Sequence, residues 1–308
     1  MFVPCLINIG FYFVDDIHHR LRSALGNPHY VVPQEQLMSL LIQNLTDVFA
    51  NSGGNIDDYN LPKHTTQTYG ISDNRLINDE LDAEPLMLSI HAASLVSQLN
   101  TDQKNVYDVI TQRVLSGSPG FFFVCSHGGT GKTFLWNAII ARLRSEKKIV
   151  LVVASSGVAS LLLPRGRTAH SRFKIPFDIT DASTCNVKRG TMIAELIQVS
   201  SLIIWDEAPM THRCCFEALD RTMRDILSEH NPANAIVPFG GKPVVLGGDF
   251  RQILPVVRKG SRSSIVNASI TNSRLWQHVA LLRLRTNMRL VNPSLQGDDR
   301  NELEKFSK

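Results

Sequence analysis

What this 308-residue sequence lacks narrows its class first. No apolar stretch reaches the ~18 residues that a membrane-spanning helix needs. The uncharged opening stretch, residues 1–14, is too short, and Asp15 and Asp16 follow it directly. It has no basic flank and no small-residue cleavage site, which excludes a secretory signal and predicts a soluble chain with no membrane partner. Cysteine is scarce: Cys5, Cys125, Cys185, Cys214 and Cys215 are odd in number, and none is spaced C-x-x-C. That argues against a disulfide framework or a zinc site and predicts a reducing compartment. The ten histidines include no pair at metal-ligand spacing, and the adjacent His18 and His19 diverge on any helix or strand. Repeats and low-complexity blocks are absent. With 43% apolar and 19% charged residues, disordered, collagen-like and coiled-coil classes are also excluded.

Charge is present but unevenly placed. Residues 1–105 hold 5 Lys/Arg against 12 Asp/Glu, whereas residues 106–308 hold 27 against 16. The net charge of +4 therefore conceals an acidic front and a basic body, and the body suits a polyanionic partner.

Residues 35–50 place Leu37, Leu40, Leu41, Leu45, Val48 and Phe49 at helical spacing. The Gly- and Asn-rich stretch 51–85 reads as a loop, and Leu86–Leu99 as a second short amphipathic helix. From Leu99 onward, helical stretches alternate with uncharged apolar runs at Phe121–Cys125, Ile149–Ala154, Leu202–Trp205 and Val244–Leu246. Continuously apolar strands are buried on both faces, the mark of a parallel sheet covered by helices. The reading is an acidic, partly helical N-terminal region over 1–94, then a doubly wound α/β domain over 95–291. Ligands of such sheets bind at the carboxyl ends of the strands.

The first apolar run leads into Ser126-His-Gly-Gly-Thr-Gly-Lys-Thr133 and then a helical stretch. A strand–loop–helix of this composition cradles phosphates: Gly128, Gly129, Thr130 and Gly131 turn backbone N–H groups inward, Lys132 adds a charge, and the Thr133 hydroxyl can ligate Mg²⁺. Ser126 stands where the pattern wants glycine, so weakened binding is expected if that position needs a positive φ. The run Leu202–Trp205 delivers Asp206 and Glu207. Adjacent side chains diverge, so Asp206 can hold the metal while Glu207 acts as general base. The run ending at Leu246 delivers Asp249 and Gln252, and a neutral glutamine can sense a γ-phosphate.

These residues, with their neighbours, form an ordered series: LNTDQ (99–103), GGTGKTFLW (128–136), ASSGVASLLLPRGRTAHSRF (154–173), IIWDEAPM (203–210), GGDFRQILPV (247–256) and LRTNMRL (284–290). The series resembles the Pif-type DNA helicases of superfamily one, most closely their plant and Helitron-transposon branch, over roughly residues 30–308. The resemblance implies a P-loop NTPase with a RecA-like fold, ATP and Mg²⁺ as cofactors, and 5′-to-3′ movement on single-stranded DNA in repair, recombination and telomere maintenance. It implies that Gln103 reads adenine, that Lys132, Glu207, Gln252 and Arg289 act in hydrolysis with Arg289 as an arginine finger, and that Thr133 and Asp206 hold Mg²⁺. Ser155, Ser156, Thr168, His170, Arg172 and Phe173 would contact DNA; Phe173 could instead pack in the core.

Residues 251–297 add 8 Lys/Arg and no acid, suited to tracking a phosphate backbone or to a merely solvated face. The resemblance further predicts that 292–308 begins a linker to a second RecA-like domain not contained in this sequence. The chain alone would then hydrolyse ATP weakly and not unwind DNA. Two other classes fit the motifs less fully: a nucleotide-gated DNA-binding module without catalysis, and a P-loop ATPase acting on protein. A nuclear address follows from the implied function alone, since no basic targeting cluster is present.

Overall fold

The computed structural model describes residues 74–82 and 85–288. All of these lie in the second of two units into which the chain divides, Ser72–Lys308. The helix expected over 35–50, Cys5 and Arg289 fall outside the described residues.

Six strands form one sheet in the order β3-β2-β4-β5-β1-β6. They are β1 Phe121–Ser126, β2 Val150–Ala154, β3 Arg167–Thr168, β4 Leu202–Asp206, β5 Val244–Gly248 and β6 Ala280–Leu284. All pairings are parallel. The four runs expected from the sequence are the four central strands. Their pleat sends alternate residues to opposite faces. Phe121, Phe123, Leu151, Val153, Ile203, Trp205, Val244 and Leu246 enter one core cluster. Phe122, Val124, Val150, Val152, Leu202, Ile204 and Val245 enter the other. Both faces are apolar because both are covered.

Two edge strands went unforeseen. β3 has only two residues, and β6 is mostly exposed, with Arg283 in its span. A short or charged strand carries no continuous apolar run, so its pairing is set by its neighbour: Phe122 to Ser126 align with Ala280 to Leu284.

Among the helices, α1 is Arg75–Leu81, α2 Pro85–Ser97, α3 Thr101–Leu115, α4 Lys132–Ser145, α5 Gly157–Leu161, α6 Ala169–Phe173, α7 Met192–Val199, α8 Arg213–Ser228 and α9 Arg262–Ala268. α4 and α8 are the crossover helices expected after β1 and β4. α8 buries Cys215, Phe216, Leu219, Met223 and Ile226 at helical spacing; full burial of each such large apolar side chain contributes roughly 1.5–3 kcal/mol.

Two N-terminal readings need correction. α1 lies inside the stretch read as loop: Asn74 caps it, accepting from Leu76 N, and Glu80 anchors it. The Glu80 carboxylate lies between Arg144 (3.1 Å) and Arg172 (2.7 Å), with all three side chains at most 7% exposed. Nor is α2 amphipathic. It buries only Ala92 and leaves Leu86, Met87 and Ile90 exposed.

Candidate active site

Phosphate loop, carboxylates and a bare strand position meet at the carboxyl end of the sheet. α4 begins at Lys132 with Gly131 as its cap in the left-handed region (φ 76°), and no side chain caps it. Asn100, Ser156, Thr168, Thr191, His212 and Ser261 each cap their helices with a side chain. The first N–H groups of α4 are therefore left for an anion. Gly131 is required twice over: by its φ, and because a Cβ there would lie 2.4 Å from Gln103 Nε2.

Lys132 Nζ lies 2.7 Å from both Asp206 Oδ1 and Glu207 Oε1. The two carboxylates were expected to diverge, and they converge. The reason is backbone conformation: Glu207 leaves the strand in the left-handed region, φ 51° and ψ 38°, which swings its side chain back beside that of Asp206. For a non-glycine residue this conformation costs about 1–3 kcal/mol. Ser155 holds it. The Ser155 hydroxyl donates to the Glu207 carbonyl (2.7 Å) and accepts from Trp205 Nε1 (3.1 Å) and Thr211 Oγ1 (2.7 Å).

β5 lies between β4 and β1 and contributes Gly247. A Cβ on Gly247 would stand 2.5 Å from Trp136 Cζ2, 3.2 Å from Asp206 Oδ1 and 3.3 Å from Lys132 Cδ. Only a bare backbone lets these three groups meet. Buried Trp136 then donates Nε1–H to Asp206 Oδ1 at 3.1 Å. Trp136, Gly247 and Thr211 were not singled out from the sequence; Trp136 and Gly247 lie within the quoted motifs, and Thr211 directly follows one of them.

The other side of the loop is closed by α3 and the segment after β6. Gln103 is buried, accepts from Asn100 N–H and donates Nε2–H to the Thr130 carbonyl at 3.0 Å. Here the glutamine braces the loop. Asp102 Oδ2 accepts from Arg285 N, Thr286 N and Thr286 Oγ1 at 3.0–3.2 Å. These bonds, the Arg285 N–H first, hold its carboxyl below the usual carboxylate range. Met288 N–H then donates to the Gly129 carbonyl at 2.9 Å, so the chain reaches the phosphate loop one residue before Arg289.

Ser126 is the buried last residue of β1, and its φ is not positive. The backbone strain that would have weakened phosphate binding is absent. Gln252 is exposed, four residues past β5; Asp249 accepts Arg251 N–H at 2.9 Å, and its carbonyl accepts Gln252 N–H at 3.1 Å.

The residues expected on DNA divide. Ser156 and Thr168 are helix caps at the carboxyl ends of β2 and β3, and His170 is half-buried next to them. Arg172 is a correction: its guanidinium is buried against Glu80, so it is spent inside the protein. Phe173 is another, at 0% exposure within the core and 6.3 Å from the Trp205 ring. The Ser155 hydroxyl is likewise committed to Glu207. α6 is a single short turn, and its register on the core, which a local pattern does not encode, turns these positions inward.

Two other features do not belong to the site. An open groove of about 780 Å³ beside α2 and α3, lined by Ala92, Tyr107, Thr111 and Arg142 among others, carries none of the strand-end residues. Asp181, Cys214 and Glu217 cluster as metal ligands might, but Arg213 bridges both carboxylates at 2.7 and 2.9 Å. Burial pushes the Cys214 thiol up to about 12, keeping it protonated.

A parallel sheet whose first strand runs into an uncapped glycine–lysine loop, facing a carboxylate pair from a neighbouring strand, defines a P-loop NTPase of RecA-like architecture. Comparison with known proteins carries this further. Residues 98–308 match the PIF1-like helicase family, and the chain belongs to that family. The ATP-dependent DNA helicase Pif1 of Psychrobacter is 29% identical over 140 residues, 45% of this chain and 20% of that protein. The ATP-dependent DNA helicase PIF1 of Danio rerio is 29% identical over 191 residues, 61% of this chain and 27% of that protein. The matches thus span about a fifth to a quarter of these relatives' lengths. Among solved structures, a double mutant of the Pif1 helicase from Bacteroides aligns with TM-score 0.51 at 25% identity, covering 63% of this chain and 43% of that one. The same helicase in complex with ADP-AlF3 and ssDNA aligns with TM-score 0.51 at 23% identity, over 68% and 50%; this likeness bears on the fold.

Proposed function

We propose that the chain binds ATP with Mg²⁺ at the loop 128–133 and hydrolyses it, serving a motor that couples hydrolysis to 5′-to-3′ movement along single-stranded DNA. The observation that carries this reading is Lys132 Nζ poised 2.7 Å from each of two strand-end carboxylates at an uncapped helix start. Thr133 and Asp206 would hold Mg²⁺, which would neutralise phosphate charge. Lys132 would turn from the carboxylates to the phosphates, freeing Glu207 to take a proton from the attacking water. Arg289 would reach the same phosphates from the segment that Asp102 and Gly129 tether. The ATPase domain spans about 95–291, with α1 packed against α7 and α2 against α4. A role in DNA repair, recombination and telomere maintenance belongs to the same proposal and is supported by membership of the family; a nuclear address rests on that role alone.

Phosphate release measured with and without single-stranded DNA tests the reading. Stimulation by DNA is expected, and it should vanish in Lys132→Ala. Affinity for the DNA should fall by orders of magnitude, roughly 10³-fold, between 50 and 200 mM salt if six or more phosphates are contacted. Turnover indifferent to DNA, with no salt-dependent affinity, would mean that the motor reading is wrong.

Ser155 gives a subtler test. Without its hydroxyl, the Glu207 carbonyl loses a donor, and the left-handed turn loses its main tie to β2. Ser155→Ala is expected to lower kcat for ATP about three- to tenfold, the worth of one net hydrogen bond, while KM for ATP stays unchanged. An equal loss of nucleotide affinity, with kcat intact, would show that Ser155 does not set the general base.

A further inference from the structure

Phe177 is 90% exposed, the highest value among the exposed large apolar side chains of the described residues. The His170 ring lies beside it in near-parallel, offset alignment, with centroids 5.7 Å apart and planes at 10°, and covers little of it. Burial lowers the His170 pKa, so the imidazole is neutral at physiological pH and adjoins the phenyl ring as a flat aromatic surface.

Its placement narrows the ligand. His170 lies on α6, directly after β3, and Thr168 pairs in register with Ala154 at the end of β2. The two rings therefore belong to the same carboxyl edge of the sheet as Ser155 and Ser156. The segment after β2 exposes both apolar side chains (Val158, Leu161, Leu162, Phe177) and the cations Arg165, Arg167 and Lys174, with the exposed acids Asp178 and Asp181 following Phe177. Duplex DNA presents phosphates outward and hides its bases, so it uses only the cations. A single strand presents both phosphates and apolar base faces, and uses both kinds of side chain.

We propose that the Phe177–His170 pair is a stacking platform for an unpaired base of single-stranded DNA. It takes the place that Phe173, sunk in the core, does not fill. The platform reads no sequence, because every base has a π-face. The inference rests on the single-stranded-DNA reading above and deepens it.

The test compares two labelled probes by fluorescence anisotropy on the full 308-residue chain: a thymidine oligonucleotide, and an abasic oligonucleotide of the same length that keeps the phosphates and lacks the bases. Wild-type protein should prefer the thymidine probe. Phe177→Ala should weaken thymidine binding about tenfold, leave abasic binding unchanged, and keep the same slope of log affinity against log salt, since the phosphate contacts remain. Phe177→Trp should retain affinity, with its added indole emission quenched on binding the thymidine probe but not the abasic one. A Phe177→Ala protein that binds the thymidine probe as wild type does, or loses equally on both probes, overturns the platform while leaving DNA binding itself standing. Salt-insensitive or absent binding of both probes by wild type would overturn the DNA reading and the platform with it.

Discussion

Changing Glu207 to glutamine is expected to reduce ATP turnover by about 10²–10⁴-fold, the range contributed by a positioned general base, while nucleotide affinity stays close to that of the unaltered chain. The amide keeps the shape of the carboxyl group but does not take a proton from water. Structural damage should be small: Glu207 is on the rim of the site, with its side chain 24% exposed, and its unusual backbone is held through its carbonyl by Ser155. Lys132 retains Asp206 at 2.7 Å, so the loop keeps its anchor. Lys132→Ala differs. It strips the cation from two neighbouring carboxylates, one of them on buried Asp206, and should weaken nucleotide binding as well as turnover. Equilibrium binding of a fluorescent ATP analogue, read beside single-turnover phosphate release, separates the two variants. If Glu207→Gln turns over ATP within a factor of about three of wild type, Glu207 is not the base.

Glu80→Ala should cost about 3–5 kcal/mol of folding stability, the loss typical when one member of a buried ionic cluster is removed and its partners stay buried. Arg144 and Arg172 are 7% and 5% exposed and share this one carboxylate. Burial already pulls both guanidinium pKa values down, and the Glu80 charge opposes that pull. Arg144 has some further support from the Val150 carbonyl at 3.2 Å; the Nε atoms of both arginines have no partner. Urea denaturation followed by circular dichroism would report the loss as a lower midpoint. Arg172→Ala should also destabilise, and should not reduce DNA affinity once the protein is folded. A midpoint shift equivalent to less than about 1 kcal/mol for Glu80→Ala would show that the cluster does not hold α1 to the sheet.

The parts of the site that the sequence made legible share one property. Gly128 to Thr133, Asp206 and Glu207 each follow a continuously apolar run, and such a run announces a buried parallel strand from a few neighbouring residues. Once the strands are known, so are their carboxyl ends. The edge strands were not legible, since Arg167–Thr168 and Ala280–Leu284 lack that run and take their conformation from the strands they pair with. The segment Ala154–Phe173 reads as one functional strip because it resembles the motif that grips single-stranded DNA, and its composition suits that role. Its residues separate only when α6 packs: Thr168 stays at the edge, while Arg172 and Phe173 turn into the interior.

On its own, the sequence determined the central strands, the phosphate loop, the carboxylate pair and the family, because each is written in contiguous residues whose local chemistry admits few other conformations. Tertiary structure alone decided that Glu80 meets Arg172 across 92 residues, that Gly247 is empty so that Lys132, Asp206 and Trp136 can converge, and that Phe177 rather than Phe173 faces solvent. Those outcomes depend on which surfaces come together when separate elements pack, and a burial or contact between distant residues leaves no periodic trace in the chain between them.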